Sequence, residues 1–117
     1  MPYPSPSLVT VQESDATLHV RLAGEFDVAA VPLVERALDR LSRAPVLRRL
    51  VLDLTAVSFL DLAGLRTILR ADARGRAEAL EVVVVRPRGT ANRIFTLTRV
   101  GEELRMVHER EAKHDPR

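Results

Sequence analysis

Four carboxylates are the residues of this sequence most suitably placed for chemistry. Glu25, Asp27, Asp53 and Asp61 fall near the ends of predicted strands or helices. Paired carboxylates can act in acid–base hydrolysis or hold a metal ion. Acids also occupy such positions for local reasons, because an Asp side chain can cap a helix or close a turn. We interpret all four as caps and turn residues; a carboxylate-based hydrolytic or metal site is the alternative.

Other reactive side chains are absent or scattered along the chain. The 117 residues include no cysteine and three histidines, of which His19 falls within a predicted strand while His108 and His114 lie near the end. The sequence contains no Gly-rich phosphate loop, no Gly-x-Ser-x-Gly turn and no His-Glu-x-x-His helix. We therefore expect no catalytic residue, no metal and no cofactor.

The charge pattern limits the classes of partner. The formal net charge is +2, aromatic residues make up 3% of the chain, and basic residues are interleaved with acids. Nucleic-acid surfaces gather basic side chains and stack bases on aromatics, so we expect no nucleic-acid partner. The apolar runs are too short for a membrane span, and residues 1–7 lack the features of a secretory signal. We expect a cytoplasmic protein.

Hydrophobic periodicity predicts the elements of the first half. Apolar and polar residues alternate over 17–23, which indicates a strand with one solvated face, and 8–13 is the preceding strand. Residues 29–43 have helical spacing, with Ala44-Pro45 at the end. The apolar run 50–54 is typical of a central strand covered on both faces.

The second half continues the alternation of helix and strand. A helix begins at Asp61, which can cap it, and Gly75 is predicted to end it. The remaining predicted elements are a strand at 80–85, a short helix at 91–98 capped by Gly101, and an edge strand at 104–107. The order ββαβαβαβ predicts an α/β fold, with a mixed, mostly parallel sheet flanked by helices.

The chain length allows one core with short tails. We expect a single domain over 8–108, because about 100 residues form one compact unit. The Pro/Ser-rich segment 1–7 and the charged segment 109–117 have too few apolar residues to join that core, and we predict that they are disordered tails.

Three ordered motifs resemble the STAS family, typified by bacterial anti-sigma-factor antagonists. The main one is Leu52-Asp53-Leu54-Thr55-Ala56-Val57-Ser58-Phe59-Leu60-Asp61-Leu62-Ala63-Gly64-Leu65, where the family has a strand, a Val-Ser-Phe-like turn and Asp-Ser-Ser-Gly or Asp-Ser-Thr-Gly opening a helix. The others are Gly24-Glu25-Phe26-Asp27 and Ile94-Phe95-Thr96-Leu97-Thr98-Arg99-Val100-Gly101. The resemblance covers about residues 8–108.

The resemblance implies a STAS fold and a protein that does no covalent chemistry of its own. Members of the family bind an anti-sigma factor that is itself a serine/threonine kinase, and so free a sigma factor for transcription. Phosphorylation of the hydroxyl that follows the motif's Asp ends the binding. The resemblance therefore implies a partner-binding site at Asp61, Leu62, Ala63, Gly64 and Leu65, with Glu25 and Asp27 in the neighbouring loop.

The sequence departs from the family pattern at the phosphorylated position. Leu62 follows Asp61, and Ala63 comes next, so neither residue can accept a phosphate. We expect a binding protein without phosphorylation control at this site; Ser58 lies before Asp61, and we interpret its hydroxyl as part of the turn rather than as a phosphoacceptor. Leu62 has two interpretations, a contact that holds the helix start to the core or an exposed apolar anchor for a partner.

Other functions remain open from the sequence. A STAS domain without the hydroxyl could be a subunit of a lipid-transport complex or a scaffold in a sensor assembly. A small enzyme or nucleotide-binding protein using Asp53 and Asp61 is a further alternative. Exposed strand edges make either a monomer or a weak homodimer compatible with the pattern.

Overall fold

The sheet is built from five strands that follow one another in space as they do in sequence. The computed structural model describes residues 8–43 and 46–110. The elements are β1 Leu8–Ser14, β2 Thr17–Phe26, α1 Val31–Leu38, β3 Arg49–Leu60, α2 Leu62–Ala77, β4 Glu81–Val85, α3 Arg93–Thr98 and β5 Met106–Val107. Strands β1 and β2 pair antiparallel, and the pairs from β2 to β5 are parallel. The predicted order and the mixed, mostly parallel sheet are confirmed.

The three helices lie on one face of the sheet. Buried residues of α1, α2 and α3, among them Val34, Leu65 and Phe95, join one core cluster with the buried side of the sheet, as right-handed crossovers between adjacent parallel strands would require. On β2, Leu18, Val20 and Leu22 are buried on this helix face, whereas His19 and Arg21 are exposed on the far face. The alternation along 17–23 therefore predicted the correct side of the strand.

The first helix is shorter than the periodicity predicted. Residues Val28–Ala30 and Asp39–Arg43 form 3₁₀ turns on either side of α1, as is common at helix ends. Pro32 occupies the first turn of α1, where its missing N–H removes no helical hydrogen bond. The predicted end at 44–45 and the segments 1–7 and 111–117 of the predicted tails lie outside the described residues.

The helix α2 ends in the polar stretch around Gly75, as predicted, but Gly75 itself lies inside the helix and does not end it. The helix continues to Ala77. A Cβ atom on Gly75 would lie 2.5 Å from Val82 Cγ2 and 3.2 Å from Leu50 Cδ2. The missing side chain therefore allows α2 to approach the sheet closely. From the sequence alone, a glycine with this packing role cannot be told from a glycine that ends a helix.

The residue that ends α3 is Arg99 rather than the predicted Gly101. Arg99 adopts the left-handed conformation with φ 60° and ψ 10°, and its N–H donates to the carbonyl of Thr96. A Cβ atom on Gly101 would lie 3.3 Å from Met106 Sδ and 3.6 Å from Phe95 Cβ. Gly101 thus lies against the core next to the turn, and the positive φ falls on an arginine, a residue that seldom adopts it.

Candidate docking site

The first turn of α2 directly follows the end of β3 and is held by its capping residue. Asp61 has extended backbone angles, and its Oδ1 accepts a hydrogen bond from the Gly64 N–H at 2.9 Å. Its carbonyl accepts from the Leu65 N–H at 2.9 Å. An Asp cap supplies an acceptor to an otherwise unpaired N–H and opposes the positive end of the helix dipole. We call residues 61–65 the docking turn.

The end of β2 lies against the docking turn. The Asp61 N–H donates to the Phe26 carbonyl at 3.4 Å. A Cβ atom on Gly64 would lie only 2.6 Å from both that carbonyl oxygen and Leu60 Cδ1. Glycine is therefore needed at position 64, because any larger residue would push the helix away from the strand. The same contact brings Glu25 and Asp27, which flank Phe26, next to the turn.

Three apolar side chains next to this contact are exposed. Leu62, the first residue of α2, is 55% exposed, Phe59 at the end of β3 is 50% exposed, and Val28 after Asp27 is 69% exposed. Phe59 is the register partner of Glu25 on the neighbouring strand. We call Val28, Phe59 and Leu62 the apolar patch. The exposure of Leu62 supports the interpretation of this residue as an anchor and not as a core contact.

The other residues of the docking turn serve to position Leu62. Leu65 is 3% exposed and belongs to the core, and Gly64 is also buried. Ala63 is half-buried, and its carbonyl accepts from the hydroxyl of buried Thr67 at 2.9 Å. A protein partner can therefore contact Leu62 and part of Ala63, while Gly64 and Leu65 fix the orientation of the turn.

Three acidic residues belong to the same segments as the apolar patch. Asp27 Oδ1 accepts from the Ala29 N–H at 3.0 Å and so caps the 3₁₀ turn that carries Val28. Glu25, Asp27 and Asp61 are all half-buried. Asp27 and Asp61 therefore have the capping roles inferred from the sequence, whereas Glu25 lies within β2, so its interpretation as a turn residue is wrong.

Phe59 and Val28 were not found by reasoning from the sequence. The parallel register between β2 and β3 shifts between Gly24 and Glu25. As a result, Ser58 and Phe59 are both exposed while Val57 and Leu60 on either side are buried. Strict alternation would have placed one of the two middle residues inside. The sequence feature that could have indicated this site is the aromatic side chain of Phe59, two positions before the helix cap Asp61. Because β3 continues to Leu60, Ser58 lies in a strand, and its interpretation as a turn residue is wrong.

Asp53 lies within β3 on the far face of the sheet, away from the docking turn, so its interpretation as a cap or turn residue is wrong. Its Oδ1 accepts from the Thr55 N–H at 3.0 Å and from the Thr55 hydroxyl at 2.7 Å. Its Oδ2 lies 3.5 Å from His19 Nε2. Asp53 and Asp61 thus have separate local partners and do not form a common site. Within residues 8–43 and 46–110, no three His, Cys, Asp or Glu side chains are grouped as metal ligands.

Hydrogen bonding sets the charge state of Asp53. Partial burial by itself raises the pKa of this carboxyl, but the hydrogen bonds from His19 and Thr55 outweigh that effect and lower the pKa below its ordinary value. A carboxyl with a lowered pKa in the folded state stabilises the fold at any pH above its ordinary pKa of about 3.9. This contribution is lost as the pH falls through the folded-state value.

Asp53→Asn is expected to lower the free energy of unfolding at neutral pH. The difference in this free energy between wild type and variant should become smaller in acid. Denaturant unfolding of wild type and variant between pH 7 and pH 2 measures this difference. Glu102→Gln, at an exposed acid, is the matched control and should give a small difference throughout. A deficit of Asp53→Asn that stays constant down to pH 2 would contradict the role assigned to this carboxylate.

None of the helices within the described part of the chain is long and apolar enough to cross a membrane.

In the described part of the chain, a five-stranded sheet with one antiparallel edge strand shares one core with α1, α2 and α3, which is the architecture of an α/β domain. The family model of the STAS domain matches residues 9–113, and the chain belongs to that family. The fold that the sequence motifs implied is therefore confirmed.

Several solved structures are similar to this chain. An anti-sigma factor antagonist from Mycobacterium paratuberculosis has 27% sequence identity and a TM-score of 0.70, covering 91% of this chain and 89% of its own. The anti-sigma factor antagonist SpoIIAA in its unphosphorylated form has 20% identity and a TM-score of 0.73, covering 90% and 92%. Bacillus SpoIIAA in the phosphorylated form has 23% identity and a TM-score of 0.62, covering 90% and 96%. A search of curated protein sequences finds no match.

Proposed function

We propose that this protein is a cytoplasmic anti-sigma-factor antagonist. It binds a kinase-type anti-sigma factor through the docking turn and the apolar patch, and it thereby frees a sigma factor for transcription. It does no covalent chemistry of its own. The observation that carries the proposal is the half-exposed Leu62 at the first position of α2, where the family motif has its phosphorylated hydroxyl. The similarity to the mycobacterial antagonist, which extends over 91% of the chain, supports the same class of function.

Affinity comes from burial of the apolar patch. Leu62 and Phe59 are about half exposed, so covering the rest of each side chain in a partner groove contributes roughly 1–1.5 kcal/mol, and a few such anchors usually dominate an interface. Because Gly64 and the Phe26 carbonyl fix the turn, little ordering entropy is lost when the partner binds.

The absence of a hydroxyl at position 62 removes the switch. A phosphate at a helix N-terminus would add charge and bulk where the partner must approach. Leu62 cannot carry a phosphate, so the docking turn keeps one charge state. The protein therefore binds its partner whether or not the partner's kinase activity is engaged, and release depends on competition or on protein levels.

Incubation with a host kinase-type anti-sigma factor and labelled ATP is expected to leave wild type unlabelled and to label Leu62→Ser. Restoring the hydroxyl gives the kinase a substrate at the helix start, and mass spectrometry of the peptide that contains residues 58–66 locates the phosphate. Ser58→Ala in the Leu62→Ser background is the control for the neighbouring hydroxyl. Label on wild type at Ser58 would contradict the proposed lack of phosphorylation control.

A further inference from the structure

Within residues 8–43 and 46–110, no strand pairs with the outer edge of β1. β1 stands at the end of the sheet and pairs with β2 in an uninterrupted register from Leu8 to Ser14. Its other side presents backbone N–H and C=O groups that can template a further strand. Natural edge strands are commonly blocked by proline, charged residues, a bulge or short length. The seven residues of β1 include no proline and one charged residue, Glu13, whereas β5 at the opposite edge has only two residues.

A groove of mixed polarity runs along this edge on the helix face. It has a volume of about 230 Å³ and is formed by two side chains of β1 and four of α1 and the turn after it, which are Val9, Val11, Leu33, Arg36, Ala37 and Arg40. Val9 and Val11 are half-buried against the core. The groove therefore offers apolar area beside the free backbone groups, with two arginines at the rim.

We infer that the β1 edge pairs antiparallel with the β1 edge of a second copy of this chain. A two-fold axis at Val11 brings that residue opposite itself, Thr10 opposite Gln12 of the second copy, and Val9 opposite Glu13 of the second copy. Identical strands paired in this way form a closed, self-complementary interface in which every contact occurs twice. The two five-stranded sheets then form one continuous sheet.

Charge complementarity favours a second copy over an unrelated strand. Glu13 lies on the helix face, where its Oε1 is 4.0 Å from Nη1 of Arg40 in the same chain. In the inferred register, Glu13 of each copy sits beside the other copy's Val9, next to the groove that Arg36 borders. Each copy therefore places the carboxylate of Glu13 near the arginine rim of the other copy's groove, and the two-fold symmetry repeats this contact. On the far face, polar Thr10 and Gln12 meet.

Sedimentation equilibrium tests this dimer, with substitutions at the exposed Thr10 and Gln12, which lie outside the docking turn and the apolar patch. Wild type is expected to shift from monomer to dimer mass with increasing concentration up to about 1 mM, a range that covers weak association. Thr10→Lys with Gln12→Lys sets like charges opposite each other twice, which destabilises strand pairing, and should weaken dimerisation at least about 10-fold. Thr10→Lys with Gln12→Glu sets Lys opposite Glu twice and should restore the wild-type affinity to within about 3-fold.

Circular dichroism checks that both double variants remain folded. A wild type that stays monomeric over the whole concentration range would overturn the inference. The same result is expected if the edge of β1 binds an extended segment of another protein instead of a second copy. Equal dimerisation of the Lys/Lys and Lys/Glu variants would overturn the register. None of these results depends on the anti-sigma factor, so the inference and the proposed function fail independently.

Discussion

Leu62→Asp is expected to weaken binding to the anti-sigma factor at least about 100-fold, which corresponds to roughly 2.7 kcal/mol. The substitution removes the apolar anchor and leaves a carboxylate that must lose its water in an apolar groove. It also places a negative charge where the family carries its phosphate. Isothermal titration calorimetry of the two proteins against one partner measures the change.

The design of Leu62→Asp separates binding from folding. Leu62 is the first residue of α2 and more than half exposed, and an acid in the first turn of a helix is favourable to the helix. Unfolding stability should therefore stay close to that of wild type. Val46→Asp is the matched control, because Val46 is 75% exposed but precedes the opposite end of β3. An affinity of Leu62→Asp equal to that of Val46→Asp would exclude Leu62 as an anchor.

Gly64→Ala is expected to lower the free energy of unfolding by about 3 kcal/mol, at the upper end of the usual cost of overpacking. The new Cβ would lie 2.6 Å from the Phe26 carbonyl oxygen and from Leu60 Cδ1. The carbonyl belongs to the backbone of β2 and cannot rotate away, so α2 must move from the strand. Chemical denaturation followed by circular dichroism measures the loss.

Gly75→Ala is the control for Gly64→Ala. Its Cβ would lie 2.5 Å from Val82 Cγ2 and 3.2 Å from Leu50 Cδ2, both side-chain ends that can shift. Alanine is also favoured over glycine within a helix by about 1 kcal/mol, which offsets part of the strain. We expect Gly75→Ala to cost at least about 1 kcal/mol less than Gly64→Ala. If Gly75→Ala lowered the free energy of unfolding more than Gly64→Ala, the contact of α2 with β2 at Gly64 would not be the tighter of the two contacts.

Periodicity and capping were sufficient to predict the fold. The alternation in β2 identified the buried side of the strand, and Asp61 identified the start of α2, because both signals depend on residues close in sequence. Gly75 and Arg99 were not predictable in the same way. A glycine that permits close packing has the same sequence signal as a glycine that ends a helix, and the left-handed conformation fell on an arginine.

The site was only partly predictable for a similar reason. The family motif located the docking turn and the loop with Glu25 and Asp27, and the structure brings these segments together through Phe26 and Gly64. The exposure of Phe59 depends on a register shift between two strands that are distant in sequence. Such shifts are set by the packing of the sheet as a whole, so no local pattern in β3 could indicate which residues face solvent.

The most direct test is titration of the wild-type protein against each kinase-type anti-sigma factor of the host, with and without prior incubation with ATP. The account predicts that at least one of them forms a complex, and that ATP leaves the affinity unchanged because Leu62 accepts no phosphate. Failure to bind any of them, or a complex that is lost after incubation with ATP, would contradict it.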